Sequence, residues 1–415
     1  MILQPLNTSF KAQVDLPGSK SISNRALMID AYSKETQLLQ SLSDADDTVM
    51  LRKNLGNIRN CHRSSIPMVI DCGNAGTVFR FLLTYLASTE GIWMLTGTIR
   101  MKSRPVDDLV DALRQLGAEI EYVENEGFPP LKIIGKKLIG GSTSVSMQKS
   151  SQFASSLLMA APTWTNGLDL SLAGKLNSMP YLEMTLKMME HCGAKVSVNN
   201  RNISVLPINY QPAKLVVEPD WSSAAFWYEL VALSENGELL LKGLEMDSLQ
   251  GDRQMAEMFL KLGVASYEEP DGVLIFKTNG SPGKLQFDLS GHPDMLPALV
   301  ATCTALSVEA VFTGLENLKF KESDRTMALQ EQMAQVGGKF IKISDEEFHL
   351  LPRAKKKITG RPVFRTYADH RMAMAFAPLS LVFGSIEIEQ PEVVEKSYPQ
   401  FWNQLFATSA VERLD

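Results

Sequence analysis

Two kinds of helix alternate along the chain. The first kind has apolar residues at spacings of three and four, which is typical of a helix with one buried face. Pro or Asp opens each such helix, and a Gly after its last turn precedes an alternating strand, as expected for helix caps. The clear copies are PVDDLVDALRQLGAEIEYV from Pro105, PYLEMTLKMMEHCGAKVSV from Pro180, DRQMAEMFLKLGVASYEE from Asp252 and DRTMALQEQMAQVGGKFIKI from Asp324.

The second kind of helix is apolar on nearly every side, so we expect it to be buried. Weaker copies of the first kind begin at Asp46 and Pro399, which separates the six helix starts by 59, 75, 72, 72 and 75 residues. Self-similarity at such a period indicates six repeated units that account for the chain. The copies of the second kind are SNRALMIDAYS, NAGTVFRFLLTYLAS, SSQFASSLLMAAP, SSAAFWYELVALS, PDMLPALVATCTALS and DHRMAMAFAPLSLVF.

Each repeat combines two helices with strands, which predicts an α/β fold with buried helices inside an outer sheet wall. The last surface helix, from Pro399, has no predicted strand after it before the chain ends at Asp415. We infer that the segment LNTSFKAQVDLPG, from Leu6, supplies this strand. One domain would then be built from both chain ends, and the other would be the continuous middle. The alternative is an interaction solenoid stacked in one line.

Composition and charge narrow the function classes. The chain has 415 residues, of which 45% are hydrophobic, so two domains are expected. Its 41 basic and 47 acidic residues give a net charge of −6, which argues against a surface for nucleic acid. No apolar run is long enough for a membrane span, and we expect no leader segment. Four cysteines without CxxC pairing indicate reduced thiols in a cytosolic protein, and five histidines without ligand spacing predict no metal.

Polar and charged residues concentrate at the starts of both helix series. Helix N-termini carry unpaired N–H groups and a partial positive charge, so N-termini that converge on an interdomain cleft would form an anion trap. The buried helices begin with Lys20 and Ser21, Asn74 with Gly76 and Thr77, Ser150 with Ser151 and Gln152, Ser222 and Ser223, Asp294, and His370 with Arg371. With the cations Lys20, Arg25, Arg104, Lys321, Arg325, Arg371 and Lys396, this pattern predicts a ligand with several negative charges.

Simpler interpretations exist for each residue alone. Ser and Asp at helix starts are ordinary N-caps, which is our preferred interpretation of Ser222 and Ser223. Arg104, before a Pro, could be a solvated surface charge, and the triplet DHR could be a capped helix with a surface ion pair. The stretch PGSKSISNR is not a nucleotide P-loop, because that motif needs two glycines five residues apart and only Gly18 precedes Lys20.

Two carboxylates are candidates for proton transfer. Asp294 opens an apolar helix, and a carboxylate among cations stays ionised, which suits a base. Glu322 lies in the run KESDR and would need burial or a second carboxylate, such as Asp324, to raise its pKa and act as an acid. The alternative is that Glu322 and Asp324 only pair with neighbouring arginines.

At these positions the chain resembles the enolpyruvyl transferases, on the branch that acts in the shikimate pathway. The resemblance covers nearly the whole chain and is carried by PGSKSISNRAL, GNAGTVFR, RMKSRPVDDLVDALRQLGA, SSQFASSLLMAAP, SMPYLEMT, KESDR, TYADHRMAMAF and the terminal Lys396. It implies transfer of the enolpyruvyl group of phosphoenolpyruvate to the 5-hydroxyl of shikimate 3-phosphate, with release of phosphate through a tetrahedral intermediate and without a metal or organic cofactor.

The resemblance also implies an organisation in two domains, each of three βαβαββ-type units, and we separately expect a cytoplasmic monomer. One domain comprises residues 1–18 with 219–415 and the other residues 19–218, with the active site in the interdomain cleft. Residues implied for shikimate 3-phosphate are Lys20, Ser21, Arg25, Ser150, Ser151, Gln152, Ser178, Asp294 and Lys321. Those implied for phosphoenolpyruvate are Lys20, Asn74, Gly76, Arg104, Gln152, Arg325, Arg371 and Lys396.

The roles implied for catalysis rest on four side chains. Asp294 would accept the proton of the attacking hydroxyl. Glu322 and Lys20 would move protons to and from the enolpyruvyl methylene, with His370 in support. Phe81 departs from the pattern GNAGTAMRP, which has Pro after the Arg, and we therefore predict an altered response to glyphosate, an inhibitor at the phosphoenolpyruvate site of the family.

Two rival functions remain open at this point. The sister transferase that acts on UDP-N-acetylglucosamine uses a loop Cys as acid, whereas residues 100–148 contain no Cys. A protein that keeps the fold as a non-catalytic repeat scaffold would not need the charged positions that the chain retains.

Overall fold

The computed structural model describes residues 1–61, 66–278, 283–353 and 360–415, and these divide into two compact units. Unit 1 consists of Met1–Ser19, Glu218–Lys319 and Ser323–Asp415. Unit 2 consists of Lys20–Val217 together with the short segment Phe320–Glu322, which we had expected in the part built from both chain ends. The location of the active site in an interdomain cleft stays a prediction.

The regular elements of the described residues alternate between helices and strands. The helices are α1 (Lys20–Tyr32), α2 (Asp46–Arg59), α3 (Gly76–Ala87), α4 (Ile99–Lys102), α5 (Asp107–Gln115), α6 (Gln152–Ala160), α7 (Met179–His191), α8 (Trp221–Leu233), α9 (Met255–Leu260), α10 (Leu296–Leu306), α11 (Arg325–Gln335), α12 (His370–Phe376), α13 (Ser380–Phe383) and α14 (Phe401–Ala407). Short 3₁₀ helices lie at Ala161–Thr163, Gly251–Gln254, Pro293–Met295, Leu318–Phe320, Ala377–Leu379 and Pro391–Lys396.

The strands are short, mostly of three to seven residues. They are β1 (Ile2–Pro5), β2 (Ser9–Asp15), β3 (Leu38–Gln40), β4 (Met68–Asp71), β5 (Gly91–Thr96), β6 (Glu119–Tyr122), β7 (Leu131–Gly135), β8 (Gly141–Ser146), β9 (Leu168–Ala173), β10 (Val196–Asn199), β11 (Asn202–Val205), β12 (Lys214–Val216), β13 (Asn236–Lys242), β14 (Val264–Glu269), β15 (Gly272–Lys277), β16 (Leu285–Asp288), β17 (Ala310–Thr313), β18 (Lys339–Lys342), β19 (Glu347–Leu351), β20 (Val363–Phe364), β21 (Ile386–Ile388) and β22 (Val411–Arg413).

Six sheets are present in the described part of the chain, three in each unit. In the sheet ordered β4-β5-β7-β6 the first two strands are parallel and the other neighbours are antiparallel. The sheets β10-β11-β9-β8 and β16-β17-β19-β18 repeat this arrangement. The predicted α/β repeat is therefore confirmed, with one difference: the sheet of the first repeat contains only the parallel pair β12 and β3.

The prediction for the N-terminal strand was wrong. The last surface helix, α14, is followed by a strand of its own, β22. The strand that completes this sheet is β1, which precedes Leu6 and lies between β21 and β22. Strand β2, inside the segment that we expected to fill the gap, instead pairs in parallel with β13. Both N-terminal strands therefore belong to unit 1, but to different sheets.

The helix predictions are confirmed in their burial and in their caps. All thirteen residues of α8 are buried, and α3 and α10 are buried over nearly their whole length. The glycines after α5, α7, α9 and α11 all have positive φ, between 83° and 91°, a conformation that glycine adopts without strain. Among the described residues no helix is long and apolar enough to span a membrane.

Candidate active site

The first site residue, Lys20, is the first residue of α1 and lies against the start of α2. Its Nζ is 3.1 Å from Oδ2 of Asp47, whose side chain is only 5% exposed. Asp47 comes from the pair of acidic residues that open α2, where negative charge favours helix formation. The acidic start of α2 thus fixes the lysine at the N-terminus of α1.

Arg25, one turn further along α1, is buried and bonded to α7. Its Nε donates to Oγ1 of Thr185 at 2.7 Å, and its Nη2 donates to the carbonyl of Tyr181 at 3.1 Å. Nη1 donates to the carbonyl of Ser21 at 3.0 Å. Burial lowers the pKa of Arg25 to about 10, so the guanidinium stays charged at neutral pH. All three partners are neutral, and the positive charge is not cancelled by them.

Arg104 is also buried, which excludes the alternative of a solvated surface charge. Its Nη1 donates to the carbonyl of Asn74 at 3.2 Å, and its Nε donates to the carbonyl of Phe320 at 3.0 Å. Oε1 of Glu322 lies 3.9 Å from Nη1. Gly76 makes this packing possible, because a Cβ there would lie 2.5 Å from Nη2 of Arg104. The chain thus brings together three predicted site residues and one predicted acid.

Arg100 fixes the backbone that carries the acid. Its Nη2 donates to the carbonyl of Lys321 at 2.8 Å, and its Nε donates to the carbonyls of Lys321 and Glu322 at 3.2 Å each. With the bond from Arg104, helix α4 and its following turn bind three consecutive carbonyls of the segment Phe320–Glu322. This accounts for the grouping of the segment with unit 2, which sequence reasoning missed.

Arg80, on α3, is a second residue that the sequence analysis did not select, although it ends the quoted motif GNAGTVFR. Its Nη1 donates to Oε1 of Gln152 at 2.6 Å, while Nε2 of Gln152 donates to Oγ1 of Thr77 at 2.7 Å. Burial and then the charge of Arg104 lower the pKa of Arg80 to about 9, while Glu322 acts in the opposite direction. We call Asn74, Gly76, Arg80, Arg104, Gln152 and Glu322 the Arg104 cluster.

The predicted serines of unit 2 lie at helix starts. Oγ of Ser150 accepts a bond from the backbone N–H of Gln152 at 3.2 Å, and Ser151 is the buried residue before α6. Ser178 precedes α7 and is buried in a left-handed conformation with φ 58°. A non-glycine residue adopts this conformation only at a cost in free energy. Residues strained in this way are often found at functional sites.

The predicted residues of unit 1 centre on Asp294, in the 3₁₀ turn Pro293–Met295. Its Oδ1 accepts a bond from Nη1 of Arg325 at 2.8 Å, and its Oδ2 accepts a bond from Nη2 of Arg371 at 2.8 Å. Both arginines are buried, whereas the Asp294 side chain is 18% exposed. Two cations within hydrogen-bonding distance favour the ionised form of this carboxylate.

Asp369, which sequence reasoning missed as a site residue, completes this group. Its Oδ2 accepts bonds from Nε of Arg325 at 2.8 Å and from Oγ of Ser323 at 3.0 Å. Its Oδ1 accepts from the backbone N–H of Arg371, which caps α12, and lies 3.6 Å from Nδ1 of His370. The alternative for DHR was thus correct about the cap and wrong about a surface ion pair, because Asp369 is fully buried. We call Asp294, Arg325, Asp369 and Arg371 the Asp294 cluster.

The structure also decides the interpretation of Ser222 and Ser223 as helix caps. The hydroxyls of Ser222 and Ser223 donate to the carboxylates of Asp252 and Asp220, so neither is the N-cap that we expected. Asp324 does cap its helix, accepting from the backbone N–H of Met327 at 3.1 Å. The remaining predicted residue, Lys396, ends the 3₁₀ helix Pro391–Lys396 and is half-buried.

Within the described ranges, no group of three or more His, Cys, Asp and Glu side chains could hold a metal ion. His62, one of the five histidines considered in the sequence analysis, lies outside the described residues.

Comparison with known proteins identifies the family. The sequence model of the EPSP synthase (3-phosphoshikimate 1-carboxyvinyltransferase) family matches residues 6–405. A 3-phosphoshikimate 1-carboxyvinyltransferase of Bacteroides fragilis strain YCH46 is 44% identical over 403 residues, which cover 96% of this chain and 95% of the relative. That of Vibrio campbellii is 34% identical over 432 residues, which cover 99% of each chain.

Solved structures agree at the level of the fold. The EPSP synthase of Acinetobacter baumannii, solved at 2.37 Å, has a TM-score of 0.77 at 21% identity and covers 99% of this chain and 100% of that one. The repeated α/β sheets thus have the fold of that structure, and the family match identifies an enzyme of the transferase class. The chain belongs to the EPSP synthase family.

Proposed function

We propose that this chain transfers the enolpyruvyl group of phosphoenolpyruvate to the 5-hydroxyl of shikimate 3-phosphate and releases phosphate. The observation that carries the proposal is Asp294, whose two oxygens each accept a bond at 2.8 Å from a different arginine. A base is thereby placed beside cations suited to anionic substrates. Charge-assisted hydrogen bonds from arginine are strong and geometrically specific, which suits carboxylate and phosphate groups.

The donor, phosphoenolpyruvate, carries a carboxylate and a phosphate. Of the cations assigned to it, Arg104 belongs to the Arg104 cluster, and Arg325 and Arg371 belong to the Asp294 cluster. Backbone and amide groups at the start of α3 and α6 would complete its binding. The residues are Lys20, Asn74, Gly76, Arg104, Gln152, Arg325, Arg371 and Lys396.

The acceptor, shikimate 3-phosphate, is bound by hydroxyls and cations at the starts of α1, α6 and α7. Hydroxyl groups can donate to phosphate oxygens and accept from substrate hydroxyls, which suits a phosphorylated polyol. The residues assigned to it are Lys20, Ser21, Arg25, Ser150, Ser151, Gln152, Ser178, Asp294 and Lys321.

The reaction has two stages, an addition and an elimination, and each stage includes two proton transfers. Asp294 takes the proton of the 5-hydroxyl as its oxygen bonds to C2 of the donor, while Glu322 or Lys20 delivers a proton to the methylene C3. This addition gives a tetrahedral intermediate. The bond from C2 to the phosphate oxygen then breaks, a proton returns from the new methyl group to the side chain that delivered it, and the double bond re-forms. The proton that Asp294 took from the 5-hydroxyl leaves with the departing phosphate, which restores the carboxylate.

The acceleration comes mainly from position and charge. Both substrates are anions, so the cations oppose their mutual repulsion and hold the reacting atoms together. Fixed guanidinium groups stabilise negative charge on the departing phosphate without reorganising. His370, buried beside Asp369, would support the Asp294 cluster rather than react.

The test is phosphate release from a mixture of the two substrates. The parent protein should release phosphate only when both are present. Asp294→Asn should lower kcat by about 100-fold to 10,000-fold, the usual contribution of a general base. Asp288→Asn, an exposed carboxylate at the end of β16, is the matched control and should leave kcat unchanged.

Two results would contradict the proposal. The first is a parent protein that releases no phosphate, and the second is Lys20→Ala with the same rate as the parent. UDP-N-acetylglucosamine in place of shikimate 3-phosphate should give no turnover. The expectations of a cytoplasmic monomer that binds no nucleic acid stay predictions.

A further inference from the structure

We propose that Phe81 and Phe153 are positioning residues, each of which holds one buried arginine by its aromatic face. Phe81 would position Arg25 for the acceptor, and Phe153 would position Arg80 within the Arg104 cluster for the donor. The inference rests on the proposed function, since it assigns one ring to each substrate.

The first contact joins α1 to α3. The guanidinium carbon of Arg25 lies 5.7 Å from the centroid of the Phe81 ring, and both side chains are buried. The hydrogen bonds of Arg25 go to a hydroxyl of Thr185 and to the backbone carbonyls of Ser21 and Tyr181. The ring adds a contact from a third helix, so that α1, α3 and α7 all take part in fixing this side chain.

The second contact joins α3 to α6 in the same way. The guanidinium carbon of Arg80 lies 5.3 Å from the centroid of the Phe153 ring, and both side chains are buried. Phe153 directly follows Gln152, whose Oε1 accepts a bond from Nη1 of Arg80 at 2.6 Å. One turn of α6 therefore supplies both the amide and the ring that hold this arginine.

An aromatic support has a consequence that a carboxylate support would not have. A guanidinium within about 6 Å of a ring face is attracted by the ring quadrupole, most strongly where water is excluded. The ring carries no net charge, so the arginine stays positive and available to an anion. A carboxylate in the same place would fix the arginine equally well but would cancel its charge toward the substrate.

The two rings lie under different arginines, which separates their expected effects. Loss of the Phe81 ring should weaken binding of shikimate 3-phosphate, and loss of the Phe153 ring should weaken binding of phosphoenolpyruvate. If the rings had a purely structural role in the core, losing either one would weaken the binding of both substrates together or reduce only the amount of folded enzyme.

The experiment measures KM for each substrate in Phe81→Leu and Phe153→Leu. Phe81→Leu should raise KM for shikimate 3-phosphate about 10-fold, equivalent to about 1.4 kcal/mol, with KM for phosphoenolpyruvate nearly unchanged. Phe153→Leu should give the opposite pattern. Phe79→Leu is the matched control, because Phe79 is equally buried on α3 and no cation lies over its ring in the described part of the chain. It should leave both KM values as in the parent.

A ring with altered electrostatics separates charge from shape. Pentafluorophenylalanine at position 81 keeps an aromatic ring but reverses its quadrupole, and it should raise KM for shikimate 3-phosphate as leucine does. This measurement keeps the proposal testable even where the leucine variants fold poorly.

The outcomes distinguish this inference from the proposed function. An active parent with equal shifts in both KM values, or with none in any ring variant, would overturn the role of the rings and leave the function intact. A parent without activity toward the two substrates would instead remove the function on which the inference rests.

Discussion

The arginines of the two units are stabilised in opposite ways. In unit 2, Arg25 and Arg80 bond to carbonyls, an amide and a hydroxyl, and each lies over an aromatic ring. In unit 1, Arg325 lies between the carboxylates of Asp294 and Asp369, and Arg371 bonds to Asp294. The hydrogen-bond partners of Arg25 and Arg80 are neutral, whereas carboxylates compensate the positive charge of Arg325 and Arg371.

The difference teaches how anion binding and stability are divided. An anion that binds to Arg325 or Arg371 must compete with Asp294 for these cations. Binding of the anion is therefore coupled to release of the Asp294 carboxylate. An anion that reaches Arg25 or Arg80 displaces mainly neutral groups. The buried ion pairs of unit 1 should therefore matter most for stability, and the arginines of unit 2 most for affinity.

The largest expected effect comes from removing a cation of the Asp294 cluster. Arg325→Met removes the arginine partner of Asp369 and one of the two arginine partners of Asp294, and breaking a buried pair in this way costs about 3–5 kcal/mol. Arg25→Met leaves only neutral acceptors without their donor and should cost about 1–3 kcal/mol. Urea unfolding of both variants measures the difference. Equal losses of stability would contradict the contrast between the units.

The next test concerns a buried acid that has no arginine partner in the described part of the chain. Glu229, in the middle of α8, is fully buried, and burial raises its pKa well above the usual value. The folded protein keeps this proton while the unfolded chain releases it above pH ~4.3, so stability falls as the pH rises from there toward the folded pKa. Within that window the slope is about 1.4 kcal/mol per pH unit.

Glu229→Gln should therefore stabilise the protein at pH 8 and have little effect at pH 4. The exposed Glu235→Gln is the control and should not change the pH dependence of unfolding. A Glu229→Gln protein with the parental pH profile would rule out a neutral Glu229.

The smallest of these effects concerns the approach of Arg104 to α3. Gly76→Ala places a methyl group where the guanidinium lies and should raise KM for phosphoenolpyruvate about 10-fold, or about 1.4 kcal/mol. Gly56→Ala, inside α2 with open space around its Cβ, should instead stabilise the protein by about 0.5–1 kcal/mol. An unchanged KM in Gly76→Ala would mean that Arg104 does not depend on this glycine.

Periodicity predicted what depends on local sequence. Apolar spacing located both helix series, and the glycines of the first series do end their helices with positive φ. The family resemblance then supplied proposed roles for residues to which spacing alone could assign none. The altered glyphosate response predicted from Phe81 stays a prediction.

Long-range pairing and buried partners could not be predicted in this way. The choice between β1 and β2 as the completing strand depends on partners more than 200 residues away, and no local pattern encodes that register. Asp369 and Arg80 looked like a helix cap and the end of a motif, because charge pairs between distant helices leave no periodic trace in the sequence.

The position of β1 between β21 and β22 also constrains the order in which the molecule can be built. Strand β1 has its two sheet neighbours only when residues 386–413 have been made. Unit 2, almost all of it between Lys20 and Val217, is synthesised long before then, and domains generally fold as units during synthesis. Strand β1 therefore stays unpaired through most of translation. A chain that lacks residues 411–415 also lacks β22, which leaves β1 as an open edge.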